Sequence, residues 1–328
     1  HKTAGNLNNH IGVPLTLLAL PDDAEVAVVE MGANHFGEIR RLCEIAAPEV
    51  GLITNIGMAH TEFFEDIDGV RRAKSELFAA LAENGLACVN LDDPNVVLAA
   101  QQTGVVRKLT YGFRAPADIR GEKLELDEDG CARFFCRGKT VRFGVPGLHN
   151  AGNALSVLAL ASHFGVDFDR AIQALDAPIA VSGRMRRRRI AGRTVIDDAY
   201  NANPESVRAA LDFLAALPAE GARIAVLGDM LELGDDAVAA HAAVLEYGLR
   251  QQQITTIFVH GPLCREAVRE VSAPAGKVLF VEKKTELAQT LRETTQAGDV
   301  FLLKGSRGLR MEEILTEFEK CTAVSEKS

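Results

Sequence analysis

The chain has no basic excess, no long apolar run and no paired-cysteine motif, and each absence narrows its function. Lysine and arginine total 36 against 45 aspartates and glutamates, giving a net charge of -9. A nucleic-acid partner, which needs a basic face, is therefore not expected. No segment reaches the roughly 20 apolar residues of a membrane-spanning helix, and no signal peptide is visible. We expect no membrane insertion and a cytoplasmic location.

The cysteines also argue against a metal or redox motif. Six are present, and none forms a CxxC pair, so neither a zinc ribbon nor a thioredoxin-like site is indicated. Most should be reduced thiols in the core. With 47% hydrophobic residues over 328 positions, the chain can bury a sizeable core, and its length favours two domains.

Apolar runs alternate with helix-like stretches in the first half of the chain. This alternation predicts β-α-β units on a mostly parallel sheet, with strands at 26–29, 50–53 and 86–89 and helices at 38–45 and 70–81. Between 118 and 145 the texture changes to short alternating segments around Asp127-Glu128-Asp129-Gly130, which predicts a small antiparallel patch. A helix is expected from Asn150 to His163.

A second α/β series follows, with strands predicted at 194–196, 224–227, 256–259, 278–281 and 300–303. The boundary falls near 181–185. We therefore predict an α/β protein with a central domain at 1–182 and a Rossmann-like C-terminal domain at 183–328.

Two residues in the first half, Glu30 and His60, are candidate metal ligands. Glu30 follows a predicted strand, and His60 follows the next one, so both should reach the same sheet edge. Lys74 lies on the helix after His60. Glu30 could instead be a solvated carboxylate and His60 a surface histidine, and the position of Lys74 alone indicates an ordinary exposed lysine.

Polar residues also collect at later element ends. Asn150 suits a helix N-cap, whereas Asn153, one turn further, could read an adenine edge. Arg184 could bind phosphate. The run 186–189 is better explained as a strand with exposed cations than as a nucleic-acid patch.

One strand-to-helix loop contains four polar residues, Asp198, Tyr200, Asn201 and Asn203. A carboxylate in this loop could hold ribose hydroxyls. The loops at 228–234 and 303–308 add polar groups to this rim, although turn chemistry alone would also explain them.

Together these segments resemble the Mur ligase family over nearly the whole chain. The resemblance is carried by Thr3-Ala4-Gly5-Asn6-Leu7-Asn8-Asn9-His10, Glu30-Met31-Gly32-Ala33-Asn34-His35, Lys74-Ser75-Glu76-Leu77-Phe78, His149-Asn150-Ala151-Gly152-Asn153-Ala154, Asp198-Ala199-Tyr200-Asn201-Ala202-Asn203 and Lys304-Gly305-Ser306-Arg307. The GNLNN and DAYNAN segments are similar to those of the member that joins D-alanyl-D-alanine to UDP-N-acetylmuramoyl-tripeptide.

This resemblance implies an ATP-dependent amide-bond-forming ligase that acts through an acyl phosphate, with those two molecules as substrates and a monomer as the expected state. It implies Mg²⁺ held by Glu30, His60 and a carbamylated Lys74, and it makes Lys74, His60 and Asp198 the expected catalytic residues. The remaining roles are nucleotide binding by Asn150, Asn153, Arg184, Asp198 and Tyr200, peptide binding by Asn6, Asn8, Asn9, Asn201 and Asn203, and amine-substrate binding by Lys304 and Ser306.

One departure from the family pattern is the absence of a phosphate-cradling GxxxxGK[ST] loop from these 328 residues. The chain therefore resembles a truncated ligase, and we expect it to be nearly inactive alone, because positioning of the transferred phosphate provides most of the rate. Two alternatives remain, a sister ligase adding another amino acid and a non-catalytic nucleotide- or substrate-binding module. A dinucleotide-dependent oxidoreductase is disfavoured because no GxGxxG follows a strand.

Overall fold

The computed structural model describes residues 1–57, 61–148, 150–177 and 183–325. The chain forms two six-stranded sheets with helices, which confirms the α/β class. It divides into two compact units, one with residues 1–124, 134–141 and 152–174 and the other with 125–133, 142–151 and 175–328. Within the described ranges, no helix is both long and apolar enough to span a bilayer.

The first sheet has the strand order β1-β2-β3-β4-β5-β6, and the pairs from β1 to β4 are parallel. Its strands are β1 Val50–Ile53, β2 Leu86–Asn90, β3 Arg107–Gly112, β4 Ile119–Leu126, β5 Cys131–Cys136 and β6 Lys139–Pro146. The helices of this half are α1 Gly12–Leu18, α2 Glu38–Ala46, α3 Thr61–Phe64, α4 Ile67–Ala79, α5 Pro94–Gln102, α6 Asn150–His163 and α7 Phe168–Asp176. The predicted strands β1 and β2 and helices α2, α4 and α6 are confirmed.

The antiparallel patch is confirmed as two consecutive hairpins. Only residues 127–130 separate β4 from β5, and only Arg137 and Gly138 separate β5 from β6. Such short connections require antiparallel neighbours. Arg137 and Gly138 have φ values of 50° and 76°, the left-handed pair that a tight two-residue hairpin turn demands.

The helix that carries Lys74, α4, forms anchoring hydrogen bonds at its N-terminus and again near its C-terminus. Its N-cap residue Asp66 accepts a hydrogen bond from the backbone N–H of Gly69 at 2.8 Å. Further along α4, the carboxylate of Glu76 accepts from the N–H groups of Gly37 and Arg40 at 2.7 and 3.0 Å. Glu76 therefore caps the start of α2 and ties that helix to α4.

The strand predicted at 26–29 is wrong. The structure has only an isolated parallel bridge there, between Lys2 and Val28. The N–H of Thr3 donates to the carbonyl of Val28, and the N–H of Val28 donates to the carbonyl of His1. Among the described residues this bridge is not extended into a ladder. Val26 and Val28 are exposed, so an apolar run at this place does not mark a buried strand.

The second sheet has the order β11-β10-β9-β12-β8-β7. Its first five strands pair in parallel, and β7 pairs antiparallel to β8 at the edge. The strands are β7 Arg186–Ile190, β8 Arg193–Asp198, β9 Arg223–Gly228, β10 Ile254–His260, β11 Val278–Phe280 and β12 Val300–Lys304. The helices are α8 Pro204–Ala216, α9 Ala237–Arg250, α10 Pro262–Glu270, α11 Lys284–Thr294 and α12 Glu312–Ser325. All five predicted strands are confirmed, and the arginine run 186–189 forms the edge strand.

Alternate residues of the central strands build separate cores on the two faces of this sheet. Ala225 and Leu227 pack into one cluster, whereas Ile224 and Val226 pack into the other. All four are buried, as expected for strands covered by helices on both faces. The carboxyl ends of the strands are then left as the open rim where polar loops gather.

Replacing Asp66 by alanine should lower the free energy of unfolding by about 1 kcal/mol, because the N–H of Gly69 loses its cap. Asp66→Asn keeps an acceptor oxygen and serves as the control. Urea unfolding measures both variants. If Asp66→Ala and Asp66→Asn lost the same free energy of unfolding, the cap would not stabilise α4.

Candidate functional site

The N-terminal asparagine segment meets Glu30. The side-chain amide of Asn8 donates to a carboxylate oxygen of Glu30 at 3.0 Å, and the N–H of Glu30 donates to the hydroxyl of Thr3 at 2.9 Å. Asn9 uses its side-chain oxygen to accept from the N–H of Gly12 at 2.9 Å, which supports the start of α1. Asn6 and Glu30 are exposed. Two predicted site residues, Asn8 and Glu30, are thus in contact.

Lys74 is half-buried on α4, and its ammonium donates to the carbonyl oxygen of Asn55 at 3.0 Å. Asn55 belongs to the loop that follows β1, so Lys74 faces the loop that leads towards His60. His60 itself lies outside the described residues. The convergence of Glu30, His60 and Lys74 on one metal stays a prediction.

Asn150 is the first residue of α6 and therefore lies inside the helix rather than at the N-cap position that the sequence suggested. Its side-chain amide donates to the carbonyl of Pro146 at 2.7 Å. Asn153 lies three residues further and is exposed. The two amides therefore lie one turn apart near the start of one helix, as the spacing predicts.

The strand ends of β8 and β12 are joined by a buried ion pair. The ammonium of Lys304 donates to a carboxylate oxygen of Asp198 at 2.6 Å and to the carbonyl of Asn201 at 2.9 Å. The other carboxylate oxygen of Asp198 accepts from the N–H of Met185 at 3.1 Å. The Lys304 side chain is only 4% exposed. Two residues predicted for different ligands are thus direct partners.

Arg184 and Tyr200, which are both predicted to bind nucleotide, also lie together. The guanidinium of Arg184 lies 4.5 Å from the centre of the Tyr200 ring. The N–H of Tyr200 donates to the carbonyl of Gly183 at 2.9 Å, and Gly183 has φ 71°. A Cβ at Gly183 would lie 3.0 Å from the Tyr200 nitrogen, so glycine permits this close approach.

The asparagines of the same loop have different surroundings. Asn201 is exposed, whereas the side-chain oxygen of Asn203 accepts from the N–H of Ser206 at 2.8 Å and caps α8. Ser306 is 3% exposed, and its hydroxyl contacts backbone groups of two loops. Asn203 and Ser306 therefore fix the shape of this rim.

A cavity of about 740 Å³ opens beside the carboxyl ends of β9, β10 and β11. Its charged lining residues include Arg265, Glu266, Arg269, Glu282 and Lys284. The guanidinium of Arg265 lies 3.6 Å from a carboxylate oxygen of Glu282 and 5.3 Å from the centre of the Phe280 ring. Sequence reasoning missed this cavity, although Glu282 and Lys284 follow a predicted strand and the strand-end rule could have found them.

A buried group of Asp229, His241 and Cys264 has the composition of a metal site, with its ligand atoms within 4.8 Å of one another. The candidate ligand atoms of Asp229 and His241 already form hydrogen bonds with the protein backbone. The Asp229 oxygens accept from the N–H groups of Leu263 and Cys264, and His241 Nε2 accepts from the N–H of Met230 at 2.8 Å. Burial also raises the pKa of the Cys264 thiol, which disfavours a thiolate ligand. The group holds loops together instead of an ion.

His241 must be neutral to do this. Its Nδ1 lies 2.6 Å from the carbonyl of Ala237 and donates to it, so Nε2 is the acceptor for Met230. Burial is the main cause that lowers the pKa of His241 below its ordinary value of 6.5. The unfolded chain therefore binds this proton before the folded chain does, and the stabilisation is complete above about pH 6.5 and lost as pH falls below it.

His241→Gln removes this titration, so its unfolding free energy should fall less than that of the wild type between about pH 7 and pH 5. Thermal unfolding across that range measures the difference. The exposed His163 provides the control variant His163→Gln, which should follow the wild type. An unchanged pH dependence in His241→Gln would contradict the assignment of a neutral buried imidazole.

The fold is that of an α/β protein of two compact units, in which polar loops follow the carboxyl ends of the strands. Family models sharpen this class. The Mur ligase middle domain matches residues 1–161, and the Mur ligase glutamate ligase domain matches residues 183–307.

Individual proteins show the same relationship. The chain is 35% identical to the UDP-N-acetylmuramoyl-tripeptide--D-alanyl-D-alanine ligase of Bacillus subtilis, over 97% of this chain and 69% of that protein. It is 34% identical to the ligase of the same name from Escherichia coli, over 97% and 70%. The chain belongs to the Mur ligase family.

Solved structures agree with the sequence comparison. A crystal structure of MurF from Acinetobacter baumannii superposes with a TM-score of 0.88 at 30% identity, covering 97% of this chain and 70% of that one. MurF from Thermotoga maritima in complex with ADP gives a TM-score of 0.85 at 29% identity, covering 98% and 73%.

Proposed function

We propose that this protein is an ATP-dependent ligase that joins D-alanyl-D-alanine to UDP-N-acetylmuramoyl-tripeptide in peptidoglycan synthesis. The observation that carries the proposal is the similarity, over 97% of the chain, to two ligases of that name from distant bacteria. Support from the geometry comes from the loop after β8, which brings polar groups of the predicted nucleotide and peptide sites onto one rim.

The reaction forms one amide bond and cleaves one phosphoanhydride bond. The tripeptide carboxylate attacks the γ-phosphorus of ATP, and ADP leaves. The dipeptide amine then attacks the carbonyl carbon of the acyl phosphate, the C–N bond forms, the nitrogen loses a proton, and phosphate departs with the electrons of the C–O bond. Group positioning and charge neutralisation provide most of the rate in such transfers.

In this proposal the nucleotide lies along Arg184, Tyr200 and Asp198. The stacked guanidinium of Arg184 is held in place and can pair with phosphate oxygens. Lys304 donates to one oxygen of Asp198, and each Asp198 oxygen retains a second lone pair for a ribose hydroxyl. Asn150 and Asn153 would hold the adenine, and Asn6, Asn8, Asn9, Asn201 and Asn203 the peptide.

We assign the amine substrate to the cavity beside β10 and β11. D-alanyl-D-alanine is a zwitterion at neutral pH, and the cavity is lined by Arg265, Glu266 and Glu282. Lys284 also lines it but is paired with Glu313 at 2.8 Å, so Arg265 is the cation proposed for the carboxylate and Glu266 the anion proposed for the ammonium. Lys304 and Ser306 serve this side by fixing the neighbouring loops.

The first half offers a fitting donor set for Mg²⁺. Glu30 presents an exposed carboxylate, and only one of its oxygens is engaged by Asn8. Lys74 would add two oxygen donors once carbamylated, and His60 would add an imidazole. Carboxylate-type oxygens suit Mg²⁺, which neutralises phosphate charge when bound. Carbamylation proceeds by attack of the neutral amine on the carbon of CO₂, with loss of one proton.

Lys74 should accordingly take up ¹³C label from bicarbonate in the presence of Mg²⁺ and nucleotide, visible as a carbamate signal by NMR. Lys74→Arg keeps the positive charge but cannot form the carbamate, so it should lose both the signal and turnover. The exposed Lys108 gives the control variant Lys108→Arg, which should keep both. A signal that persists in Lys74→Arg would refute the assignment.

The function is tested by measuring phosphate release with the protein expressed from its complete coding sequence. Release should require ATP, UDP-N-acetylmuramoyl-tripeptide and D-alanyl-D-alanine together. Asp198→Asn should lower kcat/KM for ATP, and Arg265→Ala should raise KM for the dipeptide by about tenfold, the loss of one charge-assisted hydrogen bond. Arg250→Ala, at the exposed end of α9, is the control.

The alternatives give different results. Turnover with a single amino acid in place of the dipeptide would identify a sister ligase. Nucleotide binding without substrate-dependent turnover would favour a binding module. We also propose a cytoplasmic monomer with domains at 1–182 and 183–328, a division that the family matches at 1–161 and 183–307 support.

A further inference from the structure

Three carboxyl-end loops of the second sheet meet at the hydroxyl of Ser306. The oxygen accepts from the N–H of Leu231 at 2.9 Å, in the loop after β9, and the hydroxyl donates to the carbonyl of Ala202 at 3.3 Å, in the loop after β8. Ser306 itself follows β12. One buried side chain therefore connects the ends of β8, β9 and β12.

The backbone around Ser306 reinforces this junction. The N–H of Ser306 donates to the carbonyl of Asp229 at 3.0 Å. Glycines allow the loops to approach, since a Cβ at Gly305 would lie 3.1 Å from the Cα of Gly228 and 2.7 Å from the side chain of Met311. The junction lies between β9 and β12, where the strand order reverses and ligands of such sheets bind.

Each connected loop carries part of a different candidate subsite. Leu231 lines the charged cavity. Ala202 stands between Asn201 and Asn203, in the loop that also contains Asp198 and Tyr200. The Ser306 hydroxyl has one donor and two acceptor sites, and its proton and one lone pair are already used by protein groups.

We propose that Ser306 is a positioning residue that fixes the loop bearing the nucleotide and peptide contacts relative to the edge of the amine cavity. In this role Ser306 does not itself bind the amine substrate. A ligand would be aimed at the cavity, whereas this hydroxyl is 97% buried and directed to Ala202. Its connection to catalysis rests on the function proposed above, but its loop-holding role does not.

Amide hydrogen exchange of the ligand-free protein tests the loop-holding role directly. In Ser306→Ala the N–H of Leu231 loses its acceptor, so its exchange should accelerate by about tenfold or more. Ser306→Thr retains the hydroxyl and should restore protection. Ser272→Ala, at an exposed serine, is the matched control. Amides of Val226 and Leu302, in the central strands, report any global loss of stability.

Steady-state kinetics test the consequence for the subsites. A positioning role predicts that Ser306→Ala raises KM for both ATP and D-alanyl-D-alanine, and that Ser306→Thr reverses both changes. An increase confined to D-alanyl-D-alanine, with unchanged exchange at Leu231, would make Ser306 a direct ligand and overturn the inference. Unchanged exchange at Leu231 with both KM values unaltered would also overturn it. If the protein shows no ligase activity, the exchange result still decides the loop-holding role.

Discussion

The polar rim of the second sheet depends on the pairing of Lys304 with Asp198. These residues occupy opposite positions in the parallel register of β12 and β8, so their side chains leave the sheet side by side at its carboxyl edge. Transferring an ammonium from water into the protein interior costs several kcal/mol unless an anion and further acceptors surround it there. Asp198 and the Asn201 carbonyl provide that compensation, and the requirement holds the loop after β8 in one conformation.

The same requirement recurs where carboxylates bind backbone N–H groups. Asp229 joins the end of β9 to the start of α10, and Asp93 caps α5 while accepting from the N–H of Ile56 after β1. Glu76 does the same for α2. Loops have few regular backbone partners, and a buried N–H without a partner is costly. Acidic side chains at the ends of these elements therefore have structural roles, and an acidic residue in such a loop does not by itself mark a ligand site.

Local patterns predicted most of the fold because they act over a few residues. The bounds of β1 and of α6, a helix predicted at 150–163, match the structure, since strand burial and helix periodicity are written into neighbouring positions. The prediction of a strand at 26–29 was wrong, because a local apolar pattern does not show whether a distant segment pairs with it. The strand-end rule located Asp198, Tyr200 and Ser306 on one rim.

The pairings inside that rim could not be read from the sequence. Lys304 and Asp198 are 106 residues apart in the chain. His241 reaches the rim from α9, an alanine-rich helix in which one histidine does not indicate a contact with a distant loop. Which side chains are committed to each other depends on the register of distant strands. The sequence therefore indicated which side chains lie at this rim better than it indicated which of them pair with one another.

Charge sets a final constraint on how such a site can bind anions. The chain has a net charge of -9, yet the proposed nucleotide and UDP-sugar are polyanions. At physiological salt, charges more than about 8 Å away are largely screened, so attraction depends on nearby cations. Lys304 is neutralised by Asp198 and adds little, whereas Arg184 is exposed and has only an aromatic ring against its guanidinium among its described contacts. Arg184 is accordingly the cation of this rim best placed to recruit phosphate, and its contribution should weaken with rising salt more than that of the buried pair.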